Sequence, residues 1–337
     1  MTAKGRGMRY CVIGAGAMGG LYGLSLAARG HDVDFLDVDD AHVAAINNHG
    51  FRLSGITGDI TRRVRASTEP YDFAGSAEIV LFHPHTLGTR EAAASAKTVL
   101  KPEGWAITLQ NGIGNVEALE EVLGVGRVVG GISYHSAALA GPGHAVHTNA
   151  GKTYLGELGG GGSARVDTLA GAMCEAGLKP EVVHDIMSVI WTKFVHNCGV
   201  NALCAVSGLR AGDVARTEAM AELQGHILEE IMAVVAAKGI KLSLDDPTGF
   251  IKRHTYLKYN KPSMQQHMEC ARWTEVDSLN GALVCEAEAL GVPVPYNRAL
   301  TLMVKGREAA VQRVHGGEDR DFAALEDAAE RDLAQVS

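Results

Sequence analysis

The sequence predicts an α/β fold with a doubly wound, mostly parallel sheet in its first half, followed by an all-α second half. Within residues 1–184, short apolar strand patterns alternate with helical patterns, as expected for a sheet whose two faces are covered by helices. Beyond residue 184, strand patterns nearly vanish. The glycines divide in the same way, because 30 of the 41 lie before residue 185, where turns between strands and helices require them. We therefore divide the chain into an α/β domain at 1–184, a helical domain at 185–316 and an acidic tail at 317–337.

The hydrophobic pattern places the elements of the first half in order. Buried strands are predicted at Met8–Ile13, Val33–Asp37, Glu78–Phe82 and Trp105–Leu109, and helices at Asp40–His49 and Thr89–Leu100. A helix of small residues that ends at Arg29-Gly30 follows the first strand. Near residues 151–162 the pattern loosens, and the glycines at 159–162 predict a flexible turn.

The second half is predicted to form long helices and a tail. The predicted helices span Val189–Val206, Val214–Lys238 and Arg272–Leu290. The residues after Gly316 are charged and rich in alanine, which predicts a surface helix or a frayed end. Much of the net charge of −8 lies here, since Glu318–Asp332 holds seven acids and two arginines.

Composition and charge argue against several classes of protein. Apolar residues make up 46% of the chain and charged residues 21%, which is unlike a disordered chain. Because no basic surface is clustered in the sequence, we expect no nucleic-acid partner. The six cysteines form no C-x-x-C pair, as expected for a reduced, cytoplasmic protein. The 19 uncharged residues from Tyr10 to Ala28 include five glycines, so they indicate a buried strand-turn-helix unit, and we expect no membrane partner.

A dinucleotide-binding turn of the Rossmann type follows the first strand. In Gly14-Ala-Gly16-Ala17-Met18-Gly19 the first glycine makes a tight turn, the second lets the backbone approach a pyrophosphate, and the third packs helix against strand. The amino end of the helix stabilises the phosphate charge. A purely structural glycine turn is the alternative interpretation.

The end of the second strand bears on the choice of cofactor. Asp37 lies 23 residues after Gly14, where an acid meets the ribose 2′-hydroxyl of NAD, although an ordinary acid at a strand end would give the same pattern. Its carboxylate would repel the 2′-phosphate of NADP, and no Arg or Lys lies between Gly30 and Gly50. These residues favour NADH over NADPH.

Acid–base candidates lie in the first helix of the second half. Lys193, Asn197 and Asn201 occur at i, i+4 and i+8, which places all three on one face of a continuous helix. They form either a solvated stripe or an ammonium and two amides that face a cleft between the halves. A lysine there would stabilise and protonate the oxygen that becomes negative when a ketone accepts hydride. Asn111 follows the strand Trp105–Leu109 and is either a ligand-crevice residue or a simple turn residue.

Other catalytic classes find little support. His83-Pro84-His85 supplies two histidines at a strand end, but no third ligand lies at a usable spacing, so we expect no metal. Ser136 and Ser207 lie in no nucleophile-elbow sequence, and no Walker A motif is present.

Taken together, these residues resemble the ketopantoate reductase (2-dehydropantoate 2-reductase) family over about Met8 to Val314. The matching segments are Gly14–Gly19, Gln110–Gly112, Trp191–Asn201, Ser263–Met264 and Thr274–Gly281. The resemblance implies a Rossmann domain and a helical domain like the C-terminal domain of 6-phosphogluconate dehydrogenase. It also implies reduction of 2-dehydropantoate to pantoate with NADPH, on the route to pantothenate and coenzyme A.

The resemblance further implies a role for each site residue. Lys193 would be the general acid for the C2 oxygen, and Glu275 would hold the substrate and the lysine in place. Asn111 would lie between the nicotinamide and the substrate. The residues that would bind the hydroxyl and carboxylate of the substrate are Asn197, Asn201 and Ser263.

Three departures from the family's pattern leave cofactor and substrate open. Val38, preceded by Asp37, stands where NADPH-dependent members usually carry Arg. His85, a candidate cofactor-binding residue, replaces a common Lys after the third strand of the cofactor half. His267 replaces the acid of the family's Ser-Met-x-Gln-Asp segment.

Two other functions stay open. One is a reductase or dehydrogenase for another 2-oxo or β-hydroxy acid, because β-hydroxyacid dehydrogenases share a Gly-x-Gly-x-Met-Gly turn and a Lys-x-x-x-Asn helix. The other is a non-catalytic dinucleotide sensor, which predicts decayed catalytic positions, whereas Lys193, Asn197 and Glu275 are all present. The expected partner is a small 2-oxo acid, and a homodimer is an open alternative for the assembly.

Overall fold

The computed structural model describes residues 7–317 and 320–336, so Glu318 and Asp319 of the predicted acidic segment lie outside the described residues. The strands are β1 (Arg9–Ile13), β2 (Asp32–Leu36), β3 (Phe51–Gly55), β4 (Ile60–Arg62), β5 (Arg65–Ser67), β6 (Ala77–Phe82), β7 (Leu100–Thr108), β8 (Val128–Ser133), β9 (Ser136–Gly141), β10 (His144–Asn149), β11 (Thr153–Glu157) and β12 (Glu181–Val182). The α-helices are α1 (Ala17–Ala27), α2 (Asp40–His49), α3 (Thr89–Val99), α4 (Asn115–Leu123), α5 (Ala164–Glu175), α6 (Ile186–Cys198), α7 (Asn201–Ser207), α8 (Ala211–Val214), α9 (Glu218–Lys238), α10 (Pro247–Leu257), α11 (Ser263–Glu269), α12 (Asn280–Leu290), α13 (Pro295–His315) and α14 (Phe322–Val336).

The first domain is built on an eight-stranded sheet in the order β12-β11-β8-β7-β6-β1-β2-β5. Its strand pairs are parallel except for β11 with β8, so the predicted mostly parallel sheet is confirmed. Alternate residues of β1 face opposite layers: Tyr10 and Val12 pack with α1 and α5, whereas Cys11 and Ile13 pack with α3 and α4. Because β1 pairs with β2 on one side and β6 on the other, a ligand crevice opens at its carboxyl end.

A second sheet, in the order β4-β3-β10-β9, is not predicted by the sequence pattern. It covers α1, where Phe51 and Ala145 lie so close to Gly20 that a Cβ there would come within 2.7 Å of the Phe51 ring. The loosening predicted across 151–162 is also wrong in part, because Thr153–Glu157 forms β11 beside β8.

The helix predicted at Val189–Val206 is broken into α6 and α7. Two buried side-chain amides donate to carbonyl oxygens where α6 ends, Asn280 to that of Cys198 at 3.1 Å and Gln224 to that of the C-cap Gly199 at 3.0 Å. These bonds satisfy carbonyl groups that a continuing helix would use itself. Val200, with a φ of −134°, then leaves the helical path.

The helix predicted at Arg272–Leu290 begins only at Asn280. The segment before it is a loop with a 3₁₀ turn at Val276–Ser278. The loop is held by the buried Glu308, whose carboxylate accepts the N–H of Thr274 at 2.7 Å. Glu275 therefore lies in a loop rather than inside a helix.

The helix α14 lies on the surface, because its side chains from Phe322 to Asp332 are exposed apart from the partly buried Ala328, and this confirms the helical alternative for the tail. No helix among the described residues is long and apolar enough to cross a membrane. The main sheet ends at Val182 and α6 begins at Ile186; the division of the chain into domains at residue 184 stays a prediction.

Candidate active site

The turn between β1 and α1 requires glycine at two positions. Gly14 has a φ of 85°, and a Cβ there would lie 2.6 Å from the carbonyl group of His83. A Cβ at Gly19 would lie 2.0 Å from the carbonyl oxygen of Gly14. Strand and helix therefore approach more closely than a side chain would allow.

The amino end of α1 faces open space. Gly16 is the N-cap, and a Cβ there would meet no atom within 4 Å. Ala17 and Met18 begin the helix, and its first turn contains no acidic residue. The first N–H groups of a helix lack internal partners and are available to an anion. A turn that is closed at Gly14 and open at Gly16 fits the pyrophosphate of a dinucleotide.

The end of β2 is acidic. The N–H of Asp37 donates to the carbonyl of Ser67 at 3.2 Å, and its Oδ1 accepts from the N–H of Asp39 at 3.1 Å. The hydroxyl of Ser67 in turn donates to the carboxylate of Asp72. Val38 is 95% exposed and contributes no charge.

Lys193 lies at the carboxyl end of the main sheet. Its Nζ donates to the carbonyl oxygen of Ser133, the last residue of β8, and lies 5.0 Å from the centre of the Tyr134 ring. Burial lowers the pKa of Lys193 to about 8, while the Glu275 carboxylate opposes this shift. The side chain is therefore protonated at neutral pH and releases its proton more readily than an exposed lysine does.

Glu275 and Asn111 connect the two halves of the chain. Asn111 Nδ2 donates to Glu275 Oε2 at 3.1 Å. Asn115 Nδ2 donates to the carbonyl oxygen of Asn111 at 2.8 Å, which fixes the loop after β7. Lys193, Glu275 and Asn111 are thus brought to one place from three separate segments.

The backbones of the two halves touch beside this pair. Gly112 has a φ of 86°, and a Cβ there would lie 2.2 Å from the carbonyl oxygen of Ser278. The N–H of Ile113 donates to the same oxygen at 3.3 Å. A side chain at residue 112 would therefore push the loop with Asn111 away from the loop with Glu275.

Besides Asn111, three residues are predicted to bind substrate, and they lie on different helices. Asn197 is partly buried, one turn beyond Lys193 on α6. Asn201 is buried at the start of α7, so its predicted place on the same helix face as Lys193 is wrong, because the chain bends between them. Ser263 is partly buried and begins α11. Contact of these residues with a substrate stays a prediction.

The two histidines that depart from the family's pattern lie near each other. The rings of His85 and His267 are 6.0 Å apart. Burial lowers the pKa of His267, and the neighbouring Glu275 opposes this. His267 thus lies near Glu275, although the sequence marked it only as a departure from the family's pattern. Ser133 was not selected from the sequence, because it contacts Lys193 through a backbone carbonyl and gives no side-chain signal.

Comparison with known proteins assigns the chain to a family. A model of the ketopantoate reductase PanE/ApbA family matches residues 10–160, and one of the ketopantoate reductase PanE/ApbA C terminal matches residues 185–308. The 2-dehydropantoate 2-reductase of Archaeoglobus fulgidus is 30% identical over 306 residues, which cover 91% of this chain and 100% of the relative. That of Pyrococcus abyssi is 29% identical and covers 90% of this chain and 98% of the relative.

Solved structures give the same result. A PanE/ApbA family ketopantoate reductase from Ralstonia eutropha JMP134 superposes with a TM-score of 0.84 at 32% identity, covering 90% of this chain and 100% of that one. A D-mandelate dehydrogenase in complex with NADH superposes with a TM-score of 0.80 at 25% identity, covering 90% and 100%. The chain belongs to the ketopantoate reductase family.

Proposed function

We propose that this chain reduces a 2-oxo acid, with 2-dehydropantoate as the first candidate, to the corresponding 2-hydroxy acid, and that Lys193 is the general acid. The family makes the chain an oxidoreductase that acts on CH–OH groups with a nicotinamide dinucleotide. The observation that carries the proposal is the ammonium of Lys193, which is held at the ligand crevice by Ser133 next to Glu275.

The geometry supports a division of labour among the residues. When bound at the turn around Gly16, the reduced dinucleotide supplies the hydride. The negative charge that develops on the substrate's C2 oxygen is stabilised by Lys193, which then transfers a proton from Nζ to that oxygen. Glu275 keeps the lysine protonated by its charge and is itself oriented by Asn111. In this proposal the amides of Asn197 and Asn201 and the hydroxyl of Ser263 bind the substrate.

Another 2-oxo acid is the second candidate substrate. The structurally similar D-mandelate dehydrogenase suggests it, and so does the pair His85 and His267 beside Glu275. A non-catalytic dinucleotide sensor is disfavoured, because burying an unused ammonium lowers stability without a gain.

A substrate panel tests the proposed function. For reduction, we expect 2-dehydropantoate to give a higher kcat/KM than other branched 2-oxo acids and than benzoylformate, the 2-oxo acid that corresponds to mandelate. Its kcat/KM should also exceed that for the oxidation of 3-hydroxy acids, which is measured in the reverse direction. The measurement is the initial rate of change in dinucleotide absorbance. A higher kcat/KM for benzoylformate than for 2-dehydropantoate would make benzoylformate the better candidate substrate. If no 2-oxo acid is reduced, the proposed reaction is wrong.

NADH is the proposed cofactor. A 2′-phosphate at the end of β2 would face Asp37, and two arginines of the segment before Ser67 are engaged elsewhere: Arg63 donates to the carbonyl of Asn48 at 2.7 Å, and Arg65 pairs with Asp34 at 2.6 Å. We expect kcat/KM with NADH to exceed that with NADPH by about tenfold or more, as for one unfavourable charge contact.

The variant Asp37→Ala checks the cause of this preference. It should narrow the ratio of the two kcat/KM values, whereas Asp40→Ala, which removes an acid from the first turn of α2, should leave the ratio unchanged. A preference of the unmodified chain for NADPH would contradict the proposed contact of Asp37 with the ribose.

A further inference from the structure

A buried hydrogen-bonded cluster lies beneath the candidate active site. Tyr22 of α1 is fully buried, and its hydroxyl donates to Ser133 Oγ at 2.8 Å. The hydroxyl of Thr153 lies 2.6 Å from the same phenol oxygen. Because the Tyr22 proton is directed to Ser133, Thr153 is the donor in the second bond. Ser133 is also the residue whose carbonyl oxygen accepts the ammonium of Lys193.

We propose that Tyr22 is a positioning residue for Lys193, because its hydroxyl fixes the Ser133 peptide whose carbonyl oxygen holds the ammonium. The inference rests on the proposed role of Lys193 as general acid. Tyr22 itself does not contact Lys193 in this proposal and acts only through Ser133.

The strand register explains why Tyr22 reaches this peptide. Ser133 and Thr153 lie opposite each other in the antiparallel pair of β8 and β11. Their hydroxyls therefore point to the same face of the sheet, toward α1, where the phenol bridges them. Ser133 Oγ also accepts the N–H of His135 at 3.2 Å, so the chain is fixed on both sides of the carbonyl that holds Lys193.

The titratable side chains around Tyr22, and Tyr22 itself, do not change protonation state between neutral and mildly alkaline pH. The ring of His83 stacks on Tyr22 at 5.3 Å, and that of His135 meets its edge at 6.1 Å, with His147 bonded behind it. Burial lowers the pKa of His83 to about 4 and also lowers the pKa values of His135 and His147. Burial raises the pKa of Tyr22 to about 12.

The groups that face Lys193 come from three elements. Glu275 lies on the helical half, Tyr134 follows β8, and His196 shares α6. Burial raises the pKa of Tyr134 to about 12 and lowers that of His196 to about 4. A change of activity between pH 7 and 9 therefore reports on Lys193 and not on these tyrosines or histidines.

The test compares Tyr22→Phe with Tyr10→Phe, a second buried tyrosine whose hydroxyl contacts Met8 instead. The variable is the pH dependence of kcat/KM for 2-oxo acid reduction. Reduction needs protonated Lys193, so kcat/KM should be level below about pH 8 and fall above it. In Tyr22→Phe the midpoint should move down by about half a pH unit or more, because the ammonium loses a firmly held acceptor. Tyr10→Phe should match the unmodified chain, and an equal midpoint in both variants would overturn the proposal.

A second variant removes the other end of the same bond. Ser133→Ala keeps the carbonyl group but loses the hydroxyl and its bonds to Tyr22 and to the N–H of His135, so it should shift the midpoint downward at least as far as Tyr22→Phe. The double variant should shift it no further than Ser133→Ala alone, because the bond to Tyr22 is already lost in that variant. Additive shifts would contradict the proposed route through Ser133.

The titration of Lys193 can also be read without turnover. Acetylation by acetic anhydride at a series of pH values, with mass spectrometry of the peptide that contains Lys193, measures the fraction of free amine. If no 2-oxo acid is reduced, the proposed reaction fails, while a downward shift of this titration in Tyr22→Phe still supports the positioning role and an unchanged titration overturns it.

Discussion

Lys193→Ala should lower kcat for 2-oxo acid reduction by about two orders of magnitude or more, as for the loss of a general acid. Without the ammonium, the developing charge on the C2 oxygen has neither its cation nor its proton donor. Dinucleotide binding should be retained, because Lys193 contacts Ser133 and lies near Glu275 rather than the glycine turn. The measurements are steady-state kcat with the preferred 2-oxo acid and the dissociation constant for NADH by fluorescence titration.

Lys238→Ala is the matched control. Lys238 also belongs to the helical half, but its Nζ pairs with Glu286 at 2.5 Å and its side chain is 34% exposed. We expect kcat of this variant to stay near that of the unmodified chain. An unchanged kcat in Lys193→Ala would remove Lys193 from the mechanism. If the residual activity of Lys193→Ala still falls at alkaline pH, a group other than Lys193 causes the pH dependence.

Gly16→Ala and Gly19→Ala should both weaken NADH binding, but only Gly19→Ala should also lower stability. A Cβ at Gly16 enters open space at the amino end of α1, so folding should be unaffected, while the dissociation constant for NADH should rise about tenfold or more as the methyl group meets the pyrophosphate. A Cβ at Gly19 would lie 2.0 Å from the Gly14 carbonyl oxygen. Gly19→Ala should therefore lower Tm by about 5 °C or more as well as weaken binding.

Gly171→Ala separates these effects from the general effect of replacing glycine in a helix. Gly171 lies in α5, and a Cβ there would meet nothing within 4 Å. Its replacement should leave NADH binding unchanged and keep or slightly raise Tm, since alanine favours helix by about 1 kcal/mol over glycine. Normal NADH affinity in Gly16→Ala would show that the pyrophosphate does not lie at this residue.

Local signals predicted the first half well where they were strong. The helix Asp40–His49 has the predicted bounds because Asp39 caps its first turn by accepting the N–H of His42, and Gly50, at a φ of 85°, ends it. The second sheet escaped prediction because β3 and β10 pair across about 90 residues. Such strands are stabilised by packing on α1, which no local pattern reveals.

The sequence predicted which side chains lie together at the candidate site, but not the path of the backbone that brings them there. Lys193, Glu275 and Asn111 were selected from the sequence and lie together. The single helix proposed for Lys193 and Asn201 was wrong, because the amides that end α6 belong to Gln224 and Asn280, distant in the chain. The spacing of residues along a helix gives no information on capping groups that come from distant parts of the chain.

Because of the contact between Gly112 and Ser278, an assay of dinucleotide binding and an assay of turnover report on different parts of this molecule. The glycine turn belongs to the first half alone, whereas the proposed acid–base set requires the loop after β7 to meet the loop around Glu275. We expect a variant that loosens this contact to bind NADH normally and still be inactive. A screen for active variants should therefore measure turnover. A dinucleotide affinity resin would also retain inactive variants in which the two halves no longer meet.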